Sequence, residues 1–447
     1  MTLNTAIQNW WQRLRGSRAG HPHRSPAPAP ATADRSLRDS APPSVASSMA
    51  ADVIRPEDVI ARYSLEELCE TAEEYYRRVP DPLPHMAKPF GAVQEAPEML
   101  ENLGLLLSGL QLGKTMTVLD FGAGTCWLSR CLTQLTCQVI CVDTSTTALK
   151  LGERLFAEYP PICEPLLPPR FLHFDGRTLD LPDASVDRIV CFDAFHHIPN
   201  QAEVLAQLGR VLRPGGIAGF SEPGREHSRH PQAQYEMRNH KVLENDVDLN
   251  AIFRLAQHAG FTAMRVKLLN DTEVPLDAYN SLFSGEPDDA LRAQLWRDTR
   301  HATFNRSIFF LHKGDSRPDS RGHAGLRHSL RIVTHARLSD SGQLLRVDIV
   351  LSNTGSATWL HTASGIHGVV RLGTHLYEAD GRLIAIDHSR YFLPCSVEPG
   401  AEIAMTVDVP LPDSRPYRVT FDLVAEGVAW FENAGSAPVT IAVPPGH

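Results

Sequence analysis

No stretch of this chain approaches the roughly 18 apolar residues that a membrane-spanning helix requires, and no uninterrupted apolar core follows Met1. Neither a membrane span nor a secretory leader is expected, and the default location is cytoplasmic. Cysteine is scarce and unpatterned, with 8 residues in 447 and no C-x-x-C spacing. That argues against a disulfide framework and fits scattered thiols in a reducing compartment. Basic charge does not predominate. The 43 Lys and Arg face 52 Asp and Glu, for a formal net charge of -9, so nucleic acid is not an expected partner. The H-E-x-x-H spacing of a helical zinc site is missing. His227 and His230 with Glu226 or Glu236 make neither that pattern nor a dense acidic set, and no metal is expected.

What is present is ordinary globular composition, 43% hydrophobic and 21% charged, on a chain too long for one core. Four segments are expected. Residues 1–50 carry six arginines against two aspartates, and their Pro-, Ala- and Ser-rich part lacks the apolar surface to offset chain entropy. This segment reads as a disordered basic tail. Within it Leu3, Ile7, Trp10, Trp11 and Leu14 share one helical face beside Arg13, Arg15 and Arg18. That face fits weak peripheral contact with the inner membrane as well as a frayed end. Residues 51–314 read as an α/β part, 315–328 as a polar linker and 329–447 as an all-β part.

In the α/β part, Ser64-x-x-Glu67 is a capping box ahead of a helix over 65–78, and Pro97 opens another near 96–110. Both precede the first strand, so a helical cap over a ligand site is expected from them. Strands at 138–142, 170–174, 186–191, 216–221, 262–269 and 307–312 alternate with helices near 125–135, 146–158, 201–212, 249–258 and 288–301. With the strand ending at Asp120 they predict a Rossmann-like, doubly wound, mainly parallel sheet of seven strands. Beyond the linker, short strands at 330–338, 344–352, 368–377, 403–409, 418–425 and 439–443 are separated by turn signals such as Asp380-Gly381. They predict a β-sandwich.

The chemistry concentrates first in V-L-D-F-G-A-G-T, residues 118–125. Gly122 and Gly124 let the backbone press against a ligand, and the helix beyond offers free N–H groups. The third glycine of a dinucleotide fingerprint is absent, because Trp127 stands there. Asp120 would repel a pyrophosphate but attract an ammonium or sulfonium cation. S-adenosylmethionine carries both, so the expected cofactor is this methyl donor rather than NAD. Asp143 ends the next strand, where one carboxylate can accept from two vicinal ribose hydroxyls. Asp175-Gly176 follows the third strand, placed either to meet an adenine amine or to make a solvated turn. Phe192 and Phe195 follow the fourth, placed for a cation–π contact with the sulfonium or for core packing.

Together with V-I-C-V-D-T-S, F-D-A-F-H-H-I and V-L-R-P-G-G-I-A-G-F-S-E-P, these motifs resemble the class I S-adenosylmethionine-dependent methyltransferases of the type 11 group over residues 118–224. The resemblance implies that Asp120, Gly122 and Gly124 surround the methionine moiety. It also implies that Asp143 holds the ribose, Asp175 and Gly176 the adenine end, and Phe192 the wall beside the sulfonium. Cys126 departs from the pattern, since many members carry glycine there.

Methyl transfer to a hydroxyl needs a group to take the proton. His196, His197, Glu222 and His227 stand at carboxyl ends of strands and are the candidates. The C-terminal segment resembles the immunoglobulin-like or jelly-roll modules of bacterial polysaccharide-processing proteins, with Trp359, Tyr391 and Trp430 available for sugar stacking or core packing. The preferred reading is O-methylation of a sugar or glycan in surface-polysaccharide biosynthesis. The alternatives are methylation of an isoprenoid or other small metabolite, and a non-catalytic S-adenosylmethionine-binding scaffold.

Overall fold

A computed structural model describes residues 53–162, 167–284, 289–315, 317–338, 343–363 and 365–446. The tail with its Trp10–Trp11 segment lies outside them. Residues 53–447 form one compact unit, and no helix among the described residues is long and apolar enough to cross a membrane.

Four helices come first: α1 (Pro56–Arg62), α2 (Leu65–Arg78), α3 (Leu83–Met86) and α4 (Ala96–Leu110). The capping box at the start of α2 is formed in both directions, with Ser64 Oγ accepting from the Glu67 amide and the Glu67 carboxylate accepting from the Ser64 amide. The expected two-helix cap is only half correct. Helix α2 lies over the ligand crevice, whereas α4 packs on the sheet. The reason is its apolar stripe: Leu106 and Leu110 are fully buried and sit against Gly219, with Gly109 pressed on the Phe310 ring.

The central sheet contains β1 (Thr117–Phe121), β2 (Gln138–Asp143), β3 (Arg170–His173), β4 (Val186–Phe192), β5 (Leu212–Pro223), β6 (Ala263–Val266) and β7 (Arg306–His312). Its order is β3-β2-β1-β4-β5-β7-β6. Strands β1 to β5 are parallel, and β7 runs antiparallel between β5 and β6. The order reverses between β1 and β4, which opens a crevice at their carboxyl ends. Helices α5 (Trp127–Gln134), α6 (Thr146–Glu158), α7 (Gln201–Val211), α8 (Pro231–His240), α9 (Leu249–His258), α10 (Leu276–Ser284) and α11 (Asp289–Asn305) complete this part. Helix α8 was not expected, because its sequence is polar and buries only Ala233 and Met237.

The C-terminal segment folds as antiparallel sheets around its own core. Strands β8 (His328–Arg337), β9 (Leu344–Asn353), β10 (Val370–Glu378), β11 (Leu383–Phe392), β12 (Glu402–Pro410), β13 (Tyr417–Ala425), β14 (Ala429–Trp430) and β15 (Val439–Val443) make two sheets. One follows β12-β9-β8; the other follows β11-β10-β13-β14, with β15 on β13. Val347, Ile349 and Leu351 of one sheet meet Leu372, Val419 and Phe421 of the other around Trp359 and Phe431. Strand β11 was not expected. Its register against β10 slips twice, and both faces show exposed apolar residues, Leu383 with Ile384 and Ile386, so the period-2 signal is lost.

The two parts are tied at the amino end of the parallel sheet. Asp187 of β4 accepts from the Thr117 amide at 2.8 Å and from Arg213 at 2.8 Å. Arg321 also reaches Asp187, at 2.9 Å, while holding Asp319 at 2.7 Å. Ser320 is fully buried, donating to the Gly368 carbonyl and accepting from the Leu360 amide. Lys114 completes the seam by donating to the Gly427 carbonyl.

Candidate active site

A cavity of about 400 Å³ opens at the carboxyl ends of β1 to β4, within the range that holds one drug-sized ligand. Its floor is Phe121, Gly122, Asp143, Phe174, Gly176, Asp193 and Ala194, and its far wall includes His197, Leu243 and Glu244. Leu65, Leu68, Cys69, Ala72, Tyr75 and Tyr76 of α2 form the roof, with His85 and Lys88 beside them.

The roof is fastened rather than laid on. Glu73 accepts from Ser145 Oγ at 2.7 Å, from the Thr147 amide at 2.9 Å and from Thr147 Oγ1 at 2.6 Å. These groups start α6, so a carboxylate from α2 caps the amino end of the helix that follows β2. Those bonds outweigh the cost of partial burial and hold Glu73 at a pKa of about 2. Tyr76 lies over Gly124, whose φ of +52° and lack of Cβ permit the approach: a Cβ there would stand 2.6 Å from the tyrosine oxygen. Gly176 is covered by Cys69 and Leu65 in the same way.

The residues expected around the cofactor divide. Asp143 lies on the cavity wall, its Oδ2 accepting from the Gly124 amide and its Oδ1 from the Ser145 amide, both at 2.8 Å. Burial raises its pKa against the pull of those amides, and each oxygen keeps a lone pair for a ribose hydroxyl. Gly122 and Gly176 also line the cavity, while Gly124 contributes through its bond to Asp143.

Three expectations are corrected. Asp120 is buried behind the floor, where Ser129 Oγ donates to it at 2.6 Å, so its carboxylate does not face the cavity. Asp175 turns outward and accepts from the amides of Arg177 and Thr178 at 2.8 and 2.7 Å, which closes the turn and leaves its carboxylate off the cavity wall. Phe192 packs edge-on against Trp127, and the Arg306 guanidinium stands 5.0 Å from its ring centre, so the expected sulfonium wall already has a cation of the protein's own. Phe195 is fully buried in the core against Phe220.

The four proton-transfer candidates are brought into one cluster, and Glu244, which motif reading missed, is at its centre. Glu222 is completely buried. Its Oε1 accepts from the Ala194 and Phe195 amides at 3.2 and 3.0 Å, and its Oε2 meets His196 Nδ1 at 2.7 Å. Burial alone would raise its pKa, but the His196 and backbone bonds win and hold it at about 2. Burial pulls His196 down, yet Glu222 and Glu244 raise it overall. His197 is the imidazole that lines the cavity. Its Nδ1 lies 2.8 Å from the Leu243 carbonyl; a carbonyl only accepts, so Nδ1 carries the proton and Nε2 keeps its lone pair. Burial, then the neighbouring His196, lower the pKa of His197. His227 Nε2 meets Glu244 Oε2 at 2.7 Å. The other residues weighed with His227 are not gathered: His230 is exposed, Glu226 pairs loosely with Arg229, and Glu236 accepts from Gln232.

Comparison with known proteins agrees with this geometry. Residues 119–220 match the family model of a methyltransferase domain. A segment of the chain is 34% identical over 102 residues to an uncharacterized methyltransferase of Mycobacterium bovis, covering 23% of this chain and 48% of that protein. The chain is 44% identical over 46 residues to a 27-O-demethylrifamycin SV methyltransferase of Amycolatopsis mediterranei, covering 10% of this chain and 17% of that one. The chain thus spans about half the length, or less, of these curated relatives. Among solved structures, a Haemonchus contortus phosphoethanolamine N-methyltransferase 2 in complex with S-adenosyl-L-methionine matches 59% of this chain and 60% of its own, with 17% identity and a TM-score of 0.35. The methyltransferase match begins within β1 and ends within β5, and so contains the glycine turn, Asp143 and the His196–His197 pair.

Proposed function

We propose that this chain is an S-adenosylmethionine-dependent methyltransferase acting on a hydroxyl of a small acceptor, with His197 taking the proton. The observation that carries this reading is one cavity bordered by both the Gly122–Asp143 floor and an imidazole whose Nδ1 proton is committed to Leu243. Bound here, S-adenosylmethionine would supply an activated methyl group with a thioether as leaving group. Asp143 would hold its ribose hydroxyls, and Gly122 would let it approach the backbone. The α2 roof excludes water and holds the acceptor in line, which supplies much of the rate in such a displacement. As the acceptor oxygen bonds to the methyl carbon, its proton passes to His197 Nε2.

Of the acceptors expected from the sequence, a small metabolite suits this cavity better than a polysaccharide. Its roof is largely apolar, and a cavity of about 400 Å³ is of the size that holds small ligands rather than a polymer. The sandwich aromatics give no sugar platform in support: Trp359 is fully buried, Trp430 is covered by Arg390 at 5.1 Å, and Tyr391 donates to the Asp408 carbonyl.

The test is methyl transfer from labelled S-adenosylmethionine to a panel of monosaccharide, phenolic and isoprenoid alcohols. His197→Ala should lower kcat by a factor on the order of 10² to 10⁴ with donor affinity retained. Equal turnover by the variant would remove His197 from the reaction. Donor binding by calorimetry without turnover on any acceptor would favour the scaffold alternative.

A further inference from the structure

Glu222 and Glu244 are both buried carboxylates at the head of the sheet, and among the described residues their ion pairs are with imidazoles: His196 for Glu222, and His196, His197 and His227 for Glu244. Two negative charges in this setting require nearly two positive ones nearby. One divalent cation supplies them at a single point. The donor atoms are suitably gathered: one ring nitrogen from each of His196 and His197 and one oxygen of Glu244 lie within 4.8 Å of one another. Tetrahedral ligands about 2.0–2.2 Å from zinc stand roughly 3.3–3.6 Å apart, so side-chain rotations must draw the set together by up to about 1 Å. The outer contact of His196 also matches, since its Nδ1 meets a carboxylate while its Nε2 lies 3.5 Å from Glu244, the arrangement that presents the other ring nitrogen to a metal. His197 approaches Glu244 through Nδ1, at 3.9 Å, so its ring must turn to offer Nε2.

We propose that His196, His197 and Glu244 bind a divalent transition-metal ion of the zinc class, with His227 bracing Glu244 and an open coordination position facing the cavity. Imidazole with one carboxylate selects zinc or a neighbouring first-row ion over magnesium or calcium. Three protein ligands beside a cavity leave room for a water or an acceptor oxygen. Binding itself does not depend on the methyl-transfer reading. It does bear on that reading, because the lone pair of His197 cannot both hold the ion and take a proton.

The experiment is a titration of tag-free, chelator-stripped full-length protein with Zn²⁺ and, separately, Co²⁺, alongside S-adenosylmethionine binding by calorimetry. The expected result is one equivalent of Zn²⁺ at micromolar or tighter affinity and visible Co²⁺ absorption from a low-coordinate N/O site. Glu244→Gln should weaken Zn²⁺ at least about 100-fold, and Glu222→Gln, one shell out, about 10- to 100-fold. Far-UV circular dichroism and a cooperative thermal transition like the parent's certify the folding of both. Absence of stoichiometric metal in the parent chain, or affinity unchanged in Glu244→Gln, overturns the site and leaves a proton network in its place. Inhibition by one equivalent of Zn²⁺, reversed by chelator, supports both the site and His197 as the proton acceptor. Activity that requires the ion supports the site and transfers that role from His197 to the metal-bound oxygen.

Discussion

The two ends of strands β4 and β5 both bury carboxylates, and they balance them differently. At the foot, Asp187 has two guanidiniums and a backbone amide, and its pKa is lowered because Arg321 overcomes the effect of burial. Guanidiniums stay charged at any pH a protein survives, so the foot is a permanent joint between the α/β part and the sandwich. At the head, Glu222 and Glu244 are given imidazoles and backbone amides. An imidazole can lose its proton, accept one or bind a metal. The same sheet therefore carries fixed charge where the chain must hold together and exchangeable charge where chemistry takes place.

The sharpest way to break this comparison is Arg321→Ala. It leaves Asp187 buried with one guanidinium, and a loss of about 3–5 kcal/mol in denaturant unfolding is expected, with donor affinity preserved. A loss under 1 kcal/mol would show that Arg213 alone suffices and that the foot is not a joint.

Asp120 offers an intermediate case, since it is buried against Ser129, whose hydroxyl and amide both act on it. Burial raises its pKa from 3.8 to about 7. The folded chain then holds that proton more tightly than the unfolded chain, so the group costs nothing below pH 3.8, stability falls as pH rises towards 7, and the full penalty stands above it. Asp120→Asn should therefore gain about 2–3 kcal/mol relative to the parent on going from pH 5 to pH 8. A pH-independent difference would mean that Asp120 is ionised throughout.

With Asp143 holding the ribose as proposed, S-adenosylmethionine affinity of Asp143→Ala should fall at least about tenfold by calorimetry. Unchanged affinity would detach the cofactor from the head of β2. The smallest effect concerns the roof. The Cys69 thiol is pushed up to about 11 by burial, so site-resolved alkylation should be slow and slower still, by a few-fold, with donor present. Faster labelling on donor binding would mean that the roof opens around its ligand.

The order of the fold was legible because hydrophobic runs, glycine turns and helix caps are local signals. V-L-D-F-G-A-G-T and V-I-C-V-D-T-S mark β1, β2 and the crevice at their carboxyl ends. The parts that were not legible depend on distant partners. Asp120 has the right position in the motif, yet Ser129 one turn into α5 turns it from the ligand side. Glu244 sits in an irregular segment without periodicity, and only the fold sets it against His196, His197 and His227. Nothing local marks Glu73 as a cap, because it serves a helix that begins beyond the second strand.

That last contact has a kinetic consequence. The carboxylate that fastens α2 to the start of α6 must release Ser145 and Thr147 before the roof can rise, and Tyr76 must leave Gly124 with it. Once the clasp has closed, departure of the nucleoside would wait on that release. Turnover would show a first rapid round followed by a steady rate set by departure of the spent thioether, and Glu73→Gln, with a weaker clasp, would shorten that wait while leaving the first round untouched.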